Sequence, residues 1–395
     1  MIAEYHRIAL LFNANKVYDR EVMEGIGEYI QASSCNWDVF LEDDFVHREL
    51  QLNLSSVDGI IADFDNPILV TQLTEHPHHV PIVAVGGSYH NPADYPPSIP
   101  YVATDNYALI EMAFTHLRSK GLHHFAFYGV PSENRRHWSE ERRFAFEQLM
   151  QANHYDSYIY LGHETRQENW QISQQELNQW IRSLPEHTGI IAVTDARARH
   201  LLQTCENLRI AVPEQLCIIG IDNEELIQYF SRVSLSSVVQ GTKSMGYQAA
   251  KILQNMLLKK KVKTAPVLIS PIKVEARTST DYRSIHDPLV IQAMHYIRLY
   301  AYSGIKVEQV LDYVKLSRTN LERRFKKELD KTIHQVLHEE KIARARKLLI
   351  STSISIYEIS EMCGYPSIQY FYSVFKKESG YTPNDYRRRY SKKTD

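Results

Sequence analysis

Four short apolar runs in this 395-residue chain end on a polar residue that could meet a ligand. RIALLF is followed by Asn13, YVAT by Asp105, GIIAVT by Asp195 and LCIIGI by Asp222. Asn and Asp side chains accept hydrogen bonds from hydroxyls, and Arg142 adds a planar set of donors. Trp138 and Tyr89 offer aromatic faces for apolar C–H surface, and Asp19 follows shortly after Asn13. A few polar groups with an aromatic wall suit a small hydroxyl-rich ligand. Each residue also has a plainer reading. Asp105 and Asp222 suit the caps of following helices, and Asn13, Asp19, Tyr89 and Trp138 suit ordinary packing or surface roles.

Paired carboxylates can also do acid–base chemistry, but the chain lacks what an enzyme would need beside them. It has no G-x-S-x-G and no phosphate-binding loop, and Gly25-Ile-Gly27 lacks the third glycine of a dinucleotide fingerprint. EHPHHV at Glu75–Val80 carries three histidines, but with Pro77 between a helix and a strand it reads as a loop, without zinc spacing. No catalytic residue, metal or cofactor is expected. Cys35, Cys205, Cys217 and Cys363 form no CxxC pair and fit a reducing compartment.

The last 110 or so residues carry a different chemistry. From Ile285 onward the chain holds 20 Lys+Arg against 13 Asp+Glu, a net +7, while residues 1–284 hold 25 against 34, a net −9. The overall charge of −2 hides this split, and a basic module on an acidic body points to nucleic acid. Two segments repeat one pattern. Val307–Val314, a turn, and RTNLERRFKKEL at Arg318–Leu329 make the first. Ile356–Met362, a turn at Cys363–Gly364–Tyr365, and SIQYFYSVFKKES at Ser367–Ser379 make the second. Their F-K-K triplets align with a spacing of 50, and Thr332–Ile350 reads as a helical spacer between them. Gly364 permits the positive φ such a turn needs, and Ser317 and Pro366–Ser367 start the second helices.

This is helix-turn-helix logic, with the second helix entering the major groove of double-stranded DNA. Arg318, Thr319, Glu322 and Arg323 occupy the exposed end of the first recognition helix, with Leu321, Phe325 and Leu329 behind them. Ser367, Gln369 and Tyr370 face the groove from the second, with Phe371, Val374 and Phe375 as core. Arg and Gln are natural bidentate readers of guanine and adenine. Lys326, Lys327, Lys376 and Lys377 are expected to hold phosphates.

The elements that must position these groups follow from periodicity. Up to residue 280, apolar β-rich runs alternate with amphipathic stretches such as Tyr18–Ala32, Tyr107–Lys120 and Glu140–Ala152. That alternation implies parallel α/β sheets covered on both faces, with ligands beyond the strands' C-terminal ends. RTSTDYRSIHDP at Arg277–Pro288 breaks the pattern, and beyond it only helices are expected. No run approaches a membrane span, and the first apolar run is too short for a signal peptide, so a cytoplasmic protein is expected.

The C-terminal residues resemble the AraC/XylS family of transcription regulators over about Asp287–Arg388. IARARKLL at Ile342–Leu349 and G-Y-x-S-x-x-Y-F-x-x-x-F-K-K-x-x-G-x-T-P-x-x-Y-R at Gly364–Arg387 carry the likeness. It implies two helix-turn-helix units docking in successive major-groove faces. Residues 1–280 resemble the sugar-binding domain of the LacI family and periplasmic sugar-binding proteins, through VATDN at Val102–Asn106, Arg142-x-x-Ala145-Phe146, Thr194–Asp195 and IGIDN at Ile219–Asn223. This implies two α/β lobes crossed three times by the chain, and the sequence is expected to depart from the LacI family in lacking an N-terminal DNA-binding head. By position, Asp105, Arg142, Asp195 and Asp222 match that family's sugar contacts, and Thr194 stands where many relatives carry Asn.

The pairing itself resembles a family of sugar-responsive activators, on LLFNANKVYDRE, VTDARARH and IDNEELIQYFSRVSLSSV. That resemblance implies D-xylose as effector, promoter DNA, a homodimer and RNA polymerase as partners, and no membrane. The residues alone reach only a small polar ligand. The expected architecture is thus an α/β two-lobe periplasmic-binding-protein-like sensor followed by an all-α domain with two helix-turn-helix motifs. The expected boundaries are 1–280 for the sensor, 281–288 for a linker and 289–390 for the DNA-binding domain. Within the sensor, lobe one takes about 1–105 plus 238–262, and lobe two 106–237 plus 263–280. A solute-binding transport protein and a sugar-modifying enzyme are the rival classes. The helix-turn-helix pair disfavours the first, and turnover of a pentose would reveal the second.

Overall fold

A computed structural model of the protein describes residues 5–33, 35–41, 57–75, 80–131, 136–162, 168, 170–282, 285 and 287–391. The histidines of EHPHHV, at positions 76, 78 and 79, lie outside the described residues. The chain divides into two compact units, Met1–Thr204 with Leu216–Tyr282, and Cys205–Gln215 with Arg283–Asp395.

Among the described residues the first unit holds two six-stranded sheets. One opens with β1 (His6–Leu11), α1 (Val17–Ala32), β2 (Trp37–Leu41), β3 (Gly59–Asp63), α2 (Pro67–Glu75), β4 (Ile82–Gly87) and β5 (Tyr101–Thr104). The chain then crosses into α3 (Asn106–Ser119), β6 (His124–Tyr128), α4 (His137–Ala152), β7 (Ser157–Tyr160), α5 (Trp170–Ser183), β8 (Thr188–Ala192), α6 (Asp195–Leu208), β9 (Leu216–Ile221), α7 (Glu225–Phe230) and β10 (Ser236–Val239). It returns through α8 (Thr242–Leu257) and β11 (Val267–Ile269), and crosses a third time to β12 (Lys273–Glu275).

Sheet order is β11-β5-β4-β3-β1-β2 in the first lobe and β12-β10-β9-β8-β6-β7 in the second. The described pairings are parallel except β10 with β12. β3, β4, β5, β8 and β9 are buried along their whole length, which is why they read as unbroken apolar runs. The later crossings differ from the sequence expectation. β10 stays in the second sheet through Val239, between β9 and β12, and β11 joins the first by pairing with β5. The last crossing therefore falls between Ile269 and Lys273, rather than at residue 263. The short VLI run of β11 gives too little periodicity to locate that switch.

Helices α1 and α8 make the tightest helix contact of this unit. A Cβ on Gly25 would come 1.9 Å from the Lys243 carbonyl oxygen, and one on Gly246 would come 1.9 Å from that of Val22. Backbones this close admit only glycine. α1 begins at Val17 and α8 follows Gln240, and both of these residues line the cleft between the lobes, so the crossing holds the two helix starts together there.

The second unit contains α9 (Pro288–Tyr300), α10 (Val307–Val314), α11 (Arg318–Leu329), α12 (Ile333–Ser351), α13 (Ile356–Met362), α14 (Ile368–Ser379) and α15 (Pro383–Tyr390). Asp287 caps α9 by accepting from the Leu289 and Val290 amides, so the helix begins at Pro288, inside the expected linker. Two separate apolar cores form. Val310, Leu321 and Phe325 belong to one, and Ile359, Phe371 and Phe375 to the other. α12 feeds both, with Ile333, Val336 and Leu337 in the first and Ile342, Ala345 and Leu349 in the second. The turns use left-handed residues, Lys315 at φ 56° and Gly364 at φ 67°. A Cβ on Gly364 would also meet the Gly304 amide nitrogen at 2.6 Å, so the two halves meet backbone to backbone.

Candidate ligand cleft and nucleic-acid interface

A cavity of about 540 Å³ opens between the two lobes of the first unit. Lobe one contributes Lys16, Tyr18, Asp19, Asp63, Asp65 and Thr104, and lobe two contributes Asn106, Trp138, Arg142, Thr194, Asp222 and Glu224, with Gln240 on the second crossing. Four of the eight sequence candidates, Asp19, Trp138, Arg142 and Asp222, therefore meet in one place.

Arg142, on α4, is 4% exposed and held rigidly. Its Nε donates to Asn106 Oδ1 at 3.0 Å, one NH2 group donates to the Val193 carbonyl at 2.6 Å, and its guanidinium lies 4.9 Å from the Trp138 ring centre. Asn106 is fixed in turn by Ser88. Burial lowers the Arg142 pKa, opposed by the Asp222 charge. Asp222 has φ 115°, a strained conformation for a non-glycine residue, and accepts from Gln240 Nε2 at 2.6 Å. Burial raises its pKa to about 6, against the pull of Arg142 and Gln240. Strain and a perturbed carboxyl in one residue mark a functional position.

On the opposite wall the Asn13 amide donates to Asp19 Oδ2 at 2.7 Å, leaving the buried Asp19 Oδ1 without a hydrogen-bond partner among the described residues. Burial and the neighbouring Asp63 raise the Asp19 pKa to about 7. Lys16 Nζ lies 3.0 Å from Asp63 and 3.8 Å from Asp19. Burial pulls the ammonium down, but these carboxylates outweigh it and its pKa is raised. Asp65 accepts from the Gly87 amide at 2.9 Å, and His137 Nε2 approaches it to 3.4 Å. Buried charge, unspent acceptors and an aromatic wall can hold a polyol.

The remaining four candidates are placed elsewhere. Asp105 is the N-cap of α3, accepting from the Ala108 amide. Asp195 opens α6 fully buried, accepting from Ser237 Oγ at 2.6 Å and the Glu224 amide at 2.8 Å, so it braces the loop that carries Asp222. Asn13 spends its side chain on the Asn15 amide, in a local turn. Tyr89 stacks on His137 at 4.3 Å and joins Tyr95 and Tyr101. Lys16, Asp63, Asp65, Asn106 and Gln240 were not singled out from sequence. Asp63 and Asp65 end the GIIADFD run and Gln240 ends SSVV, so the same strand-end signal was present for them.

In the second unit, Arg318, Thr319 and Arg323 are exposed along α11 and Gln369 and Tyr370 along α14. Lys327, Lys376 and Lys377 are exposed too, and Lys326 pairs at the surface with Asp330. Two candidates have structural duties. Glu322 accepts from the Ile333 amide at 3.2 Å and so supports the start of α12. Ser367 caps α14 through the Tyr370 amide. Among the described residues, no helix is long and apolar enough to cross a membrane.

Three family models match the chain in succession. The XylR N-terminal domain covers residues 7–107, the periplasmic binding protein-like domain 114–280 and the helix-turn-helix domain 310–389. The xylose operon regulatory protein of Haemophilus influenzae is 62% identical over 98% of this chain and 99% of its own length. That of Escherichia coli K12 is 57% identical, over 98% of both. A solved structure of a xylose-binding transcription activator, XylR, superposes with a TM-score of 0.89 at 57% identity, covering 99% of this chain and 100% of the other. The expected fold, a periplasmic-binding-protein-like α/β domain followed by a helix-turn-helix domain, is borne out. The relatives are transcription regulators, not enzymes. The chain belongs to the family of xylose operon regulatory proteins.

Proposed function

We propose that the chain is a cytoplasmic transcription activator that binds D-xylose in the cleft of its first unit and promoter DNA through α11 and α14. The cleft carries the reading. Asp222, held by Gln240 at 2.6 Å, and buried Arg142 with Asn106 supply acceptors and donors for sugar hydroxyls, while Trp138 offers a flat apolar face. The relatives are named for xylose, which supports xylose, here taken as D-xylose, among small sugars. Contacts from both lobes would favour a closed arrangement of the first unit, and the sugar can shift DNA binding only by its differential affinity for the DNA-competent state.

The working form is a homodimer, whose two modules span paired half-sites and which acts with RNA polymerase. Calorimetry with D-xylose, D-ribose, L-arabinose and D-glucose tests the sugar assignment. D-Xylose should bind at least ~10-fold more tightly than the others, a difference of about 1.4 kcal/mol. Preference for another of these sugars would overturn D-xylose while keeping a sugar-responsive regulator, and sedimentation of the DNA complex tests the dimer.

A further inference from the structure

The second unit includes a segment far from it in sequence. Cys205–Gln215 groups with Arg283–Asp395, and Ala211, Val212 and Glu214 are buried. Arg298 of α9 holds this segment. Its guanidinium forms an ion pair with Glu214, lies 3.5 Å from the Val212 carbonyl oxygen, and reaches Glu340 of α12 with Nε at 3.4 Å. The side chains of Arg298, Glu214 and Glu340 are 13%, 3% and 21% exposed. A buried ion pair is poor evidence for stability, because desolvation offsets most of the attraction, but it fixes register well.

The segment's position in the chain gives that register meaning. It connects α6, which begins at Asp195, to β9, which ends one residue before Asp222. Asp195 braces the Asp222 loop through Ser237 and the Glu224 amide. Both ends of the connection therefore lead to the cleft wall, and its middle is anchored on α9. Glu340 extends the anchor to α12, the helix that supplies both helix-turn-helix cores.

We propose that Arg298 is the positioning residue that couples sugar occupancy to DNA binding, by fixing the α6–β9 connection to α9 and α12. It is not among the residues that line the cleft, and it lies on α9 rather than on α11 or α14. A change in the path of the connection reaches the DNA-binding helices through the Glu214–Arg298–Glu340 group. The inference rests on the sugar-responsive reading above.

The test uses the full-length chain, D-xylose, and a DNA fragment selected from a random library by the wild-type protein in the presence of D-xylose. DNA affinity is measured with and without the sugar, and sugar affinity with and without the DNA. Coupling is reciprocal, so in the wild type both ratios should equal one factor of at least ~5. Arg298→Met and Glu214→Gln should each leave sugar affinity without DNA, and DNA affinity without sugar, within about threefold of wild type, while the coupling factor falls below about 2. A merely structural role would lower the affinities themselves and leave their ratio. Retention of the wild-type factor by a folded variant would overturn the inference. Should Arg298→Met fail to give a cooperative melt, Glu214→Gln, which keeps Arg298 paired with Glu340, decides alone. A wild-type chain that binds the sugar without coupling overturns the sugar switch and this inference together.

Discussion

Gln240 Nε2 donates to Asp222 Oδ1 at 2.6 Å, which ties the second interlobe crossing to a strand-end carboxylate of lobe two. Gln240 directly follows β10 and precedes α8, and α8 is locked onto α1 by the two glycine contacts. A ligand hydroxyl that reaches Asp222 thus meets a group mechanically linked to both lobes. Asp222→Ala should weaken D-xylose binding at least ~100-fold, because it removes a charged acceptor and frees Gln240, about 3 kcal/mol together. Sugar-independent DNA binding should be unchanged. Calorimetry and gel shift on the same variant check this, and a surviving sugar response would remove Asp222 from the site.

Sugar affinity should depend on pH. Burial raises Asp222 to about 6 and Asp19 to about 7 in the free chain. Asp222 faces Arg142, Gln240, Glu224 and Glu21, and Asp19 faces Lys16, Asp63 and Asp65. Hydroxyl donation favours the ionised forms, so affinity for D-xylose should climb between about pH 5.5 and 8 with release of protons. Stability of the free chain should run the other way. Both carboxyls bind protons more tightly folded than unfolded, so their contribution is fully present below the unfolded carboxylate range and is lost as pH rises through about 6–7. Calorimetry in buffers of different ionisation enthalpy reads the proton release, and a flat affinity profile would contradict it.

The α1–α8 crossing should tolerate no side chain at its closest points. Gly246→Ala places a methyl 1.9 Å from the Val22 carbonyl oxygen, where the obstacle is backbone. Forced apart, the helices should cost about 3 kcal/mol, at the upper end of overpacking effects, and disturb the cleft wall at Asp19. Gly27→Ala, on the partner helix α1, meets nothing within 4 Å among the described residues and is the control. Thermal melts of the two variants should separate clearly, and equal melts would refute the close approach.

The two classes of DNA residue should fail differently. Arg318 is exposed and its ion pair with Glu308 is long, at 3.7 Å, so it can leave Glu308 for a base at little cost. Arg318→Ala should relax base preference at one position, by about 1–3 kcal/mol. Changing Lys376 and Lys377 together to Ala should weaken all sequences alike and reduce the slope of log affinity against log salt by about 2. Binding-site selection and a salt titration distinguish these outcomes.

The DNA module was largely legible in sequence because its signals are local. Gly364 at φ 67°, the Ser367 cap of α14 and the Phe325/Phe375 duplication all depend on near neighbours, although Ser317 at the start of α11 makes no side-chain cap. Glu322 escaped that logic, since its duty at Ile333 appears only when α12 folds back beside α11. The cleft was half legible. Strand ends deliver polar residues there, but a helix start competes for the same carboxylates. Asp105 is consumed by the Ala108 amide and Asp195 by Ser237 and Glu224. Gln240 and Lys16 come from crossings and loops whose convergence no periodicity encodes.

The sugar switch is read by the affinity of the full-length protein for its selected DNA fragment, with and without saturating D-xylose. D-Xylose should tighten DNA binding at least ~5-fold, or change the DNA geometry, with no such change in Asp222→Ala. Sugar-independent affinity and geometry, with no heat of D-xylose binding, would contradict it.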